Sequence, residues 1–449
     1  MTRVRWWMLA LLFFATTICY LDRIVLSFLA PEIRNDFRFT EQAWTPVYGY
    51  VTGAFQIAYM IGFLFAGRWI DRVGTRRGFA VAITLWSVAA GLHGVARTAL
   101  PEWPFQEGLP IFSAVGVFLV SGFLSLAFWR AMLGLGESGN FPAAIKSVAE
   151  WFPAQDRAFA TGLFNAGANV ASMIGPPLLA VMLAAYGWRA CFLITASVGF
   201  VWLVLWLATY HAPDQHPRVN RAELEYIHSG APVEESGPRI GWKEALRLRE
   251  TWGFALAKFL TDPVWWLYLW WLPLLLDSKF GLTPQQRGWA LFVVYLMADV
   301  GSVLGGWISG FLMRRGWAHA RARKTAMAMS AVCMPIGALA VLAPNPLLTL
   351  VLVSVVTSAH QGWSANLFTT TSDVFPKQAV ASVVGIGGCA GALGGFLFSS
   401  VIPGHVIARF GYPPVFLAVG VFHLTALVLV HRLMRDMRKV SLDDPRLRG

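Results

Sequence analysis

The sequence predicts an all-α membrane protein with twelve transmembrane helices in two six-helix halves. Three observations carry that expectation. The 449 residues are 56% hydrophobic and only 13% charged, with mean hydropathy +0.56, whereas a soluble domain carries about 25% charged residues. The apolar residues collect in runs of about 20, the length at which a helix crosses a bilayer. The second half of the chain also echoes the first. "WFPAQDRAFATGLF" at 151–164 is answered by "VFPKQAVASVVGIG" at 374–387, and "YGWRACF" at 186–192 by "FGYPPVF" at 410–416. Phe152-Pro153 and Phe375-Pro376 are 223 residues apart, as are Gly162 and Gly385. Such a repeat predicts a solute pathway between the halves.

The spans follow in order. The first, 6–29, comes after Arg3 and Arg5 as a signal peptide would, but it ends in Tyr20-Leu21-Asp22-Arg23 with no small-residue cleavage site, so it reads as an uncleaved span. Spans two and three, 46–66 and 79–98, flank a basic loop. The connection 99–118 carries prolines, Glu102 and Glu107, and suits an external loop or a re-entrant turn before span four at 119–149. Spans five and six occupy 158–184 and 189–210. Residues 211–251, with seven acidic and six basic side chains, are too polar to insert and read as a cytoplasmic linker with short helices. The remaining spans are 252–276, 288–311, 325–343, 347–372, 380–403 and 414–431. The expected organisation is therefore an N-terminal half at 1–210, the linker at 211–251, and a C-terminal half with a tail at 252–449.

Basic residues set the expected orientation. The loop 67–77 holds Arg68, Arg72, Arg76 and Arg77, the loop 312–324 holds five basic residues, and the tail 431–449 holds six. The loops on the other side hold only Arg34, Arg38, Arg189, Lys279, Arg287 and Arg409. Both termini and the basic loops are expected on the cytoplasmic side of the membrane. The formal charge of +12 then comes from those loops and gives no reason to expect nucleic acid. Cys19, Cys191, Cys333 and Cys389 all fall in spans with no CxxC pair, and read as small apolar residues. His211, His216 and His228 match no metal-ligand spacing. No metal or cofactor is expected. There is no Walker loop, no GxSxG and no zincin helix, so neither ATP hydrolysis nor enzyme chemistry is indicated.

The loop "GRWIDRVGTRR" at 67–77 is similar to the GxxxDRxGRR signature of the major facilitator superfamily. Its counterpart, "GWISGFLMRRG" at 306–316, keeps only the glycines and basic residues. The resemblance implies the major facilitator fold and a gating role for Asp71 and Arg72. Positive-inside topology alone accounts for the arginines, but not for Asp71 or the glycine spacing. "YLDRIVLSFLAPEI" (20–33), "GESGNFPAAIKSVAEWFP" (136–153), "FLTDPVWWLYLWWLP" (259–273) and "AHQGWSANLFTTTSDVFP" (359–376) resemble the anion:cation symporter family, most of all its bacterial hexuronate and sugar-acid permeases.

Ionisable groups inside spans cost at least roughly 2.5–3.5 kcal/mol on insertion scales, so they face a cavity or a partner. Arg130 and Glu137 are seven residues apart, and a helix turns through about 700° over that distance, so both lie on one face of span four. They read as one cavity-facing stripe or as a helix-to-helix brace. Glycines 134, 136 and 139 let that helix pack closely or bend, and Pro142 is expected to release a backbone carbonyl. The planar guanidinium of Arg130 matches a carboxylate. Asp22 and Arg23 project about 100° apart, so one can face a cavity and the other a neighbour, or both can anchor the helix near the interface. The family pattern makes Asp22 and Glu137 proton-coupling residues, Arg130 a substrate ligand and Arg23 a substrate or gating partner. Lys258 and Asp262, four apart, can pair with each other, while Pro263 is expected to break that helix. Asp299 reads as structural. Asp262, Gln56, Tyr59, Asn165, Asn169, Trp266, His360, Gln361, Ser364 and Asn366 complete a candidate sugar-acid pocket, with inter-helix hydrogen bonding the alternative for each amide.

The expected function is secondary active transport: proton-driven import of a hexuronate-like organic anion by alternating access. An exporter or antiporter of other organic anions or drugs, and a transporter-like sensor, are the alternatives. Partners are the sugar acid, protons and the bilayer. A monomer is the expected state, although the sequence leaves oligomerisation open.

Overall fold

The structure, a computed structural model, describes residues 2–96, 122–153, 155–229 and 240–441. The 99–118 connection, with Glu102 and Glu107, lies wholly outside the described residues. So do the middle of the linker and the tail arginines 446 and 448.

Among the described residues the chain is all helix and turn. Helix α1 (Val4–Asp36) and α2 (Glu41–Val73) are joined to α3 (Thr75–His93) through Gly74, whose φ of 90° only glycine adopts easily. Span four is two pieces, α4 (Gly122–Glu137) and α5 (Asn140–Trp151). The division falls at Ser138-Gly139, at one of the glycines expected there, and Pro142 sits in the first turn of α5, where its missing N–H has no partner to lose. Spans five and six form the run α6 (Arg157–Thr209), turned at Gly187 with φ 77° and ψ 168°. The linker holds two short helices, α7 (Arg221–His228) and α8 (Trp242–Leu246).

Helix α9 (Arg249–Phe280) runs unbroken through Pro263 and Pro273 and stops at left-handed Gly281. The predicted break at Pro263 is therefore absent, because packing on both sides of the proline holds the helix together. Helix α10 (Pro284–Arg314) starts on a full capping box between Thr283 and Gln286. It is followed by α11 (His319–Cys333), α12 (Ile336–Leu342), α13 (Pro346–Val374) and α14 (Lys377–Gly395). A π-helical turn, Phe396–Val401, carries α14 into α15 (Ile402–Phe410). Helices α16 (Pro413–Gly420) and α17 (Phe422–Leu433) close the chain. Eight helical stretches among the described residues are long and apolar enough to cross a membrane. Together with the broken spans they accord with the twelve-helix arrangement.

The repeat seen in the sequence is a repeat in backbone geometry. Phe152 ends α5 and Phe375 ends α13, both extended, each donating its N–H to the carbonyl four residues back, Val148 and Thr371. Gly187 and Gly411 both take positive φ, 77° and 71°, in the second repeated segment.

The chain divides into two compact units, residues 1–39 with 54–236, and residues 40–53 with 237–449. In the first, α1 packs along α6, and α3 packs between α4 and α6. In the second, α10 packs along α13 and α9 along α14 and α17. The first turns of α2 belong to this second unit. Tyr48 Oη donates to Trp270 O at 3.0 Å, and a Cβ on Gly49 would come within 2.6 Å of Ser400 O.

The α10–α13 seam depends on missing side chains. A Cβ on Gly305 would run into the Gly362 backbone, whereas one on adjacent Gly306 meets nothing within 4 Å. Backbone cannot swing aside, and overpacking costs about 1–3 kcal/mol. Gly305→Leu is expected to lower the thermal midpoint of the purified protein by several degrees, and Gly306→Leu to leave it unchanged. Equal midpoints for the two would disprove the seam argument.

Candidate functional site

Four charged residues of the first unit meet in its interior. Arg23 of α1 sends Nε and Nη2 to one oxygen of Glu137, at 2.8 and 2.7 Å. Arg130 of α4 donates Nη2 to the Arg23 carbonyl at 2.7 Å. Asp22 lies in the same electrostatic neighbourhood, beside Glu137 and Arg130. Exposure of these four is 2% or less. Aromatic faces wrap the cations. Arg23 lies over Tyr20, Phe55 and Tyr59, at 4.4, 5.1 and 5.1 Å from the ring centroids, and Arg130 lies over Phe55 at 5.0 Å.

The sequence builds this cluster through its glycines. A Cβ on Gly134 would stand 2.5 Å from Phe55 O, so its absence brings α4 against α2. A Cβ on Gly136 would stand 2.7 Å from Trp86 N, so its absence brings α4 against α3. Glu137, the last residue of α4, is thereby carried to α1.

The cluster is incompletely satisfied. Glu137 Oε1 and both oxygens of Asp22 have no hydrogen-bond partner among the described residues. The Thr195 hydroxyl faces Asp22 but is oriented to the Phe192 carbonyl at 3.2 Å. Gln56, next to Phe55 on α2, is buried with neither amide atom partnered among the described residues. Tyr59 is half-buried, and Asn165 and Asn169 are exposed on α6.

The second unit holds a separate set. Lys258 and Asp262 pair at 2.7 Å, one turn apart on α9, and Lys258 Nζ lies 4.1 Å from the Phe368 ring centroid. His360 hydrogen-bonds His423 at 3.1 Å and stacks on Trp265, while Trp266 packs against Trp270. Gln361 and Ser364 are half-buried on α13. Asn366 does different work. Its Nδ2 donates to the Gly305 and Gly362 carbonyls at 2.8 and 2.9 Å, and its Oδ1 accepts from Arg323. Its amide is occupied by the α10–α13 seam.

Two ionic features escaped sequence reasoning. Asp71 pairs with Lys146 of α5 at 3.2 Å, and Lys146 also donates to the Ile70 carbonyl, while Arg72 is exposed. Nothing in the spacing of 67–77 marks a lysine 75 residues on as the partner. The second is Glu223, fully buried in linker helix α7. It accepts from Val4 N, Arg5 N and Arg5 Nη1 at 3.1–3.2 Å and so holds the start of α1. The signal for this helix was readable: Asn220 caps it by accepting from Glu223 N. Hydrogen bonds to a charged group contribute about 1.5–3 kcal/mol. Glu223→Gln is expected to speed amide exchange in the first turn of α1 at least about tenfold, with α9 unaffected. Unchanged exchange at Arg5 would refute the latch.

Chemically, the first unit offers two guanidinium groups, which suit a carboxylate ligand, and two buried carboxylates able to hold protons. A family model described as Major Facilitator Superfamily matches residues 12–399. The hexuronate transporter of Escherichia coli (strain K12) is 29% identical over 445 residues, covering 98% of this chain and 96% of its own length. The galacturonate transporter of Dickeya chrysanthemi is 30% identical over 308 residues, covering 68% of this chain and 81% of its own. In fold, a bacterial homolog to the human lysosomal transporter Spinster, inward-facing and unoccupied, superposes with TM-score 0.73 at 18% identity, over 97% of this chain and 98% of that one.

Proposed function

The chain belongs to the Major Facilitator Superfamily, and on that premise we propose that it imports a hexuronate-like sugar acid with protons across the bacterial inner membrane by alternating access. Family membership makes it a multi-pass membrane transporter and not an enzyme. The observation that carries the finer reading is the charge balance of the buried cluster. Asp22, Arg23, Arg130 and Glu137 sum to zero formal charge. An entering carboxylate adds one negative charge in a poorly solvated place, where an unbalanced charge is costly. One proton taken up by Asp22 or Glu137 restores the balance, so anion and proton travel together.

In this reading Asp22 and Glu137 couple protons, and Arg23 and Arg130 receive the carboxylate. Tyr59, Gln56, Asn165 and Asn169 in one unit, with Asp262, Trp266, His360, Gln361 and Ser364 in the other, serve the hydroxyls and ring. Asn366 is left out because its amide is committed to backbone. Asp71 and Arg72 take part in gating, with Lys146 as the counter-charge. Both termini face the cytoplasm. The arginines are covered here, so the reading requires a second conformation that uncovers them, and alternating access supplies one.

The test is uptake of labelled glucuronate or galacturonate into proteoliposomes with an imposed pH gradient. Accumulation above the equilibrium level, abolished by a protonophore, is the expected result. Uptake that only equilibrates, or that ignores the gradient, overturns the coupling.

A further inference from the structure

The second unit carries a groove of about 660 Å³ between α10, α11 and α13, within the range of small-ligand sites. Met297, Leu304, Ile308, Met329 and Val351 line it, with Ser354 among the few polar groups. Its origin is the glycine seam. Gly301, Gly305 and Gly362 let α10 and α13 touch backbone to backbone, which leaves a cleft where α11 stands beside them. Along α10 the lining runs from Val293 to Ile308, about 22 Å at the helical rise, most of the roughly 30 Å apolar core of a bilayer.

One end of the groove is marked by charge. Arg315, the residue that caps the C-terminal end of α10, follows Ile308 by seven positions, about two helical turns. Its guanidinium lies 4.7 Å from the Phe311 ring centroid, and that of Arg321 lies 4.5 Å from Trp317. Arg314, Arg315, Trp317 and Arg321 are all exposed. Neither Arg315 nor Arg321 forms an ion pair with a carboxylate among the described residues. Nearby Arg323, by contrast, is paired with Asp373 at 3.1 Å. Exposed arginines beside an aromatic ring at the end of a membrane span are suited to lipid headgroups.

We propose that this groove binds an anionic phospholipid, one acyl chain lying along α10, α11 and α13 and the phosphate held by Arg315 and Arg321. The bound lipid comes from the leaflet that the α10–α11 loop faces. Apolar length selects an acyl chain, and the unpaired cations at its end select a negatively charged head. This site is separate from the transport cluster and stands whether or not sugar acids are the cargo.

Native mass spectrometry of the detergent-purified protein, titrated with phosphatidylglycerol or phosphatidylcholine, tests it. The parent is expected to bind phosphatidylglycerol with a preference of about fivefold for each arginine engaged. Arg315→Gln with Arg321→Gln should reduce the preference to near parity while leaving a bound lipid. Val351→Trp, which fills the groove, should remove tight binding of both lipids, and Ser354→Leu provides a second filling variant if the first folds poorly. Equal affinity for the two lipids in the parent overturns the proposal. So does a preference that survives the double substitution, or binding that survives both filling variants. A dimer of the parent that Val351→Trp dissociates also overturns it, because the groove would then be a subunit interface.

Discussion

Glu137→Gln proteoliposomes are expected to exchange sugar acid across the membrane but not to accumulate it. Glutamine keeps the size of Glu137 and an oxygen that can accept from Arg23, which currently places two donors on Glu137 Oε2. What it loses is the capacity to take and release a proton. The cluster is then fixed with one carboxylate and two guanidinium groups, a composition that accommodates an incoming anion but cannot release it with a proton. With one proton per substrate, a one-unit pH difference supports about tenfold accumulation in the parent, equivalent to about 1.4 kcal/mol. The variant should stay near the equilibrium ratio while counterflow remains measurable. Counterflow also serves as the control for folding, since removing the charge partner of a buried arginine can itself destabilise by about 3–5 kcal/mol. Asp22→Asn belongs in the same experiment, because Asp22 is the other buried carboxylate. If both amide variants accumulate substrate like the parent, the two carboxylates are structural and the coupling reading is wrong.

Arg130→Ala is expected to lower affinity for a sugar acid by about ten- to a hundredfold, the range for losing a hydrogen bond to a charged group. Arg130 also positions Arg23, because its Nη2 donates to the Arg23 carbonyl. The alanine variant therefore disturbs both guanidinium groups at once. Arg130→Lys separates the two roles: it keeps the charge but replaces a planar fork with a single ammonium. An intermediate affinity for lysine, with normal affinity of neither variant for the acid, fits carboxylate recognition. Calorimetric titration with glucuronate and with its uncharged parent sugar gives the comparison. Near-normal affinity in Arg130→Ala would remove Arg130 from the binding site.

Much of the fold was legible because hydrophobic length and glycine position are local signals. The duplicated Phe-Pro segments correctly marked equivalent helix ends, since an extended phenylalanine before proline is a property of two adjacent residues. Proline was less reliable further in. Pro263 suggested a break that packing overrides, whereas span four divides at Ser138-Gly139, at one of the glycines read as permitting a bend. The cluster was legible as residue types but not as pairs. Seven-residue spacing put Arg130 and Glu137 on one face, yet Glu137 pairs with Arg23, 114 residues away. No periodicity reports which helix will stand opposite. The same limit hid Lys146 from Asp71. Asn366 shows the reverse case: a polar residue in a suggestive run whose amide is spent on two backbone carbonyls exposed by glycine packing.

The clasp of Glu223 on the start of α1 also has a bearing on the order in which the protein is made. Arg5 leaves the ribosome 218 residues before the carboxylate that will hold it. At about 5–20 residues per second, the first span is in place for roughly ten to forty seconds before its partner is synthesised. During that interval the opening turn of α1 has only its own helix to order it. The five spans that follow are inserted beside a first helix whose end is still unfastened. Completion of the first unit therefore waits on a short polar helix of the linker, and translation past residue 223 is the event that allows it.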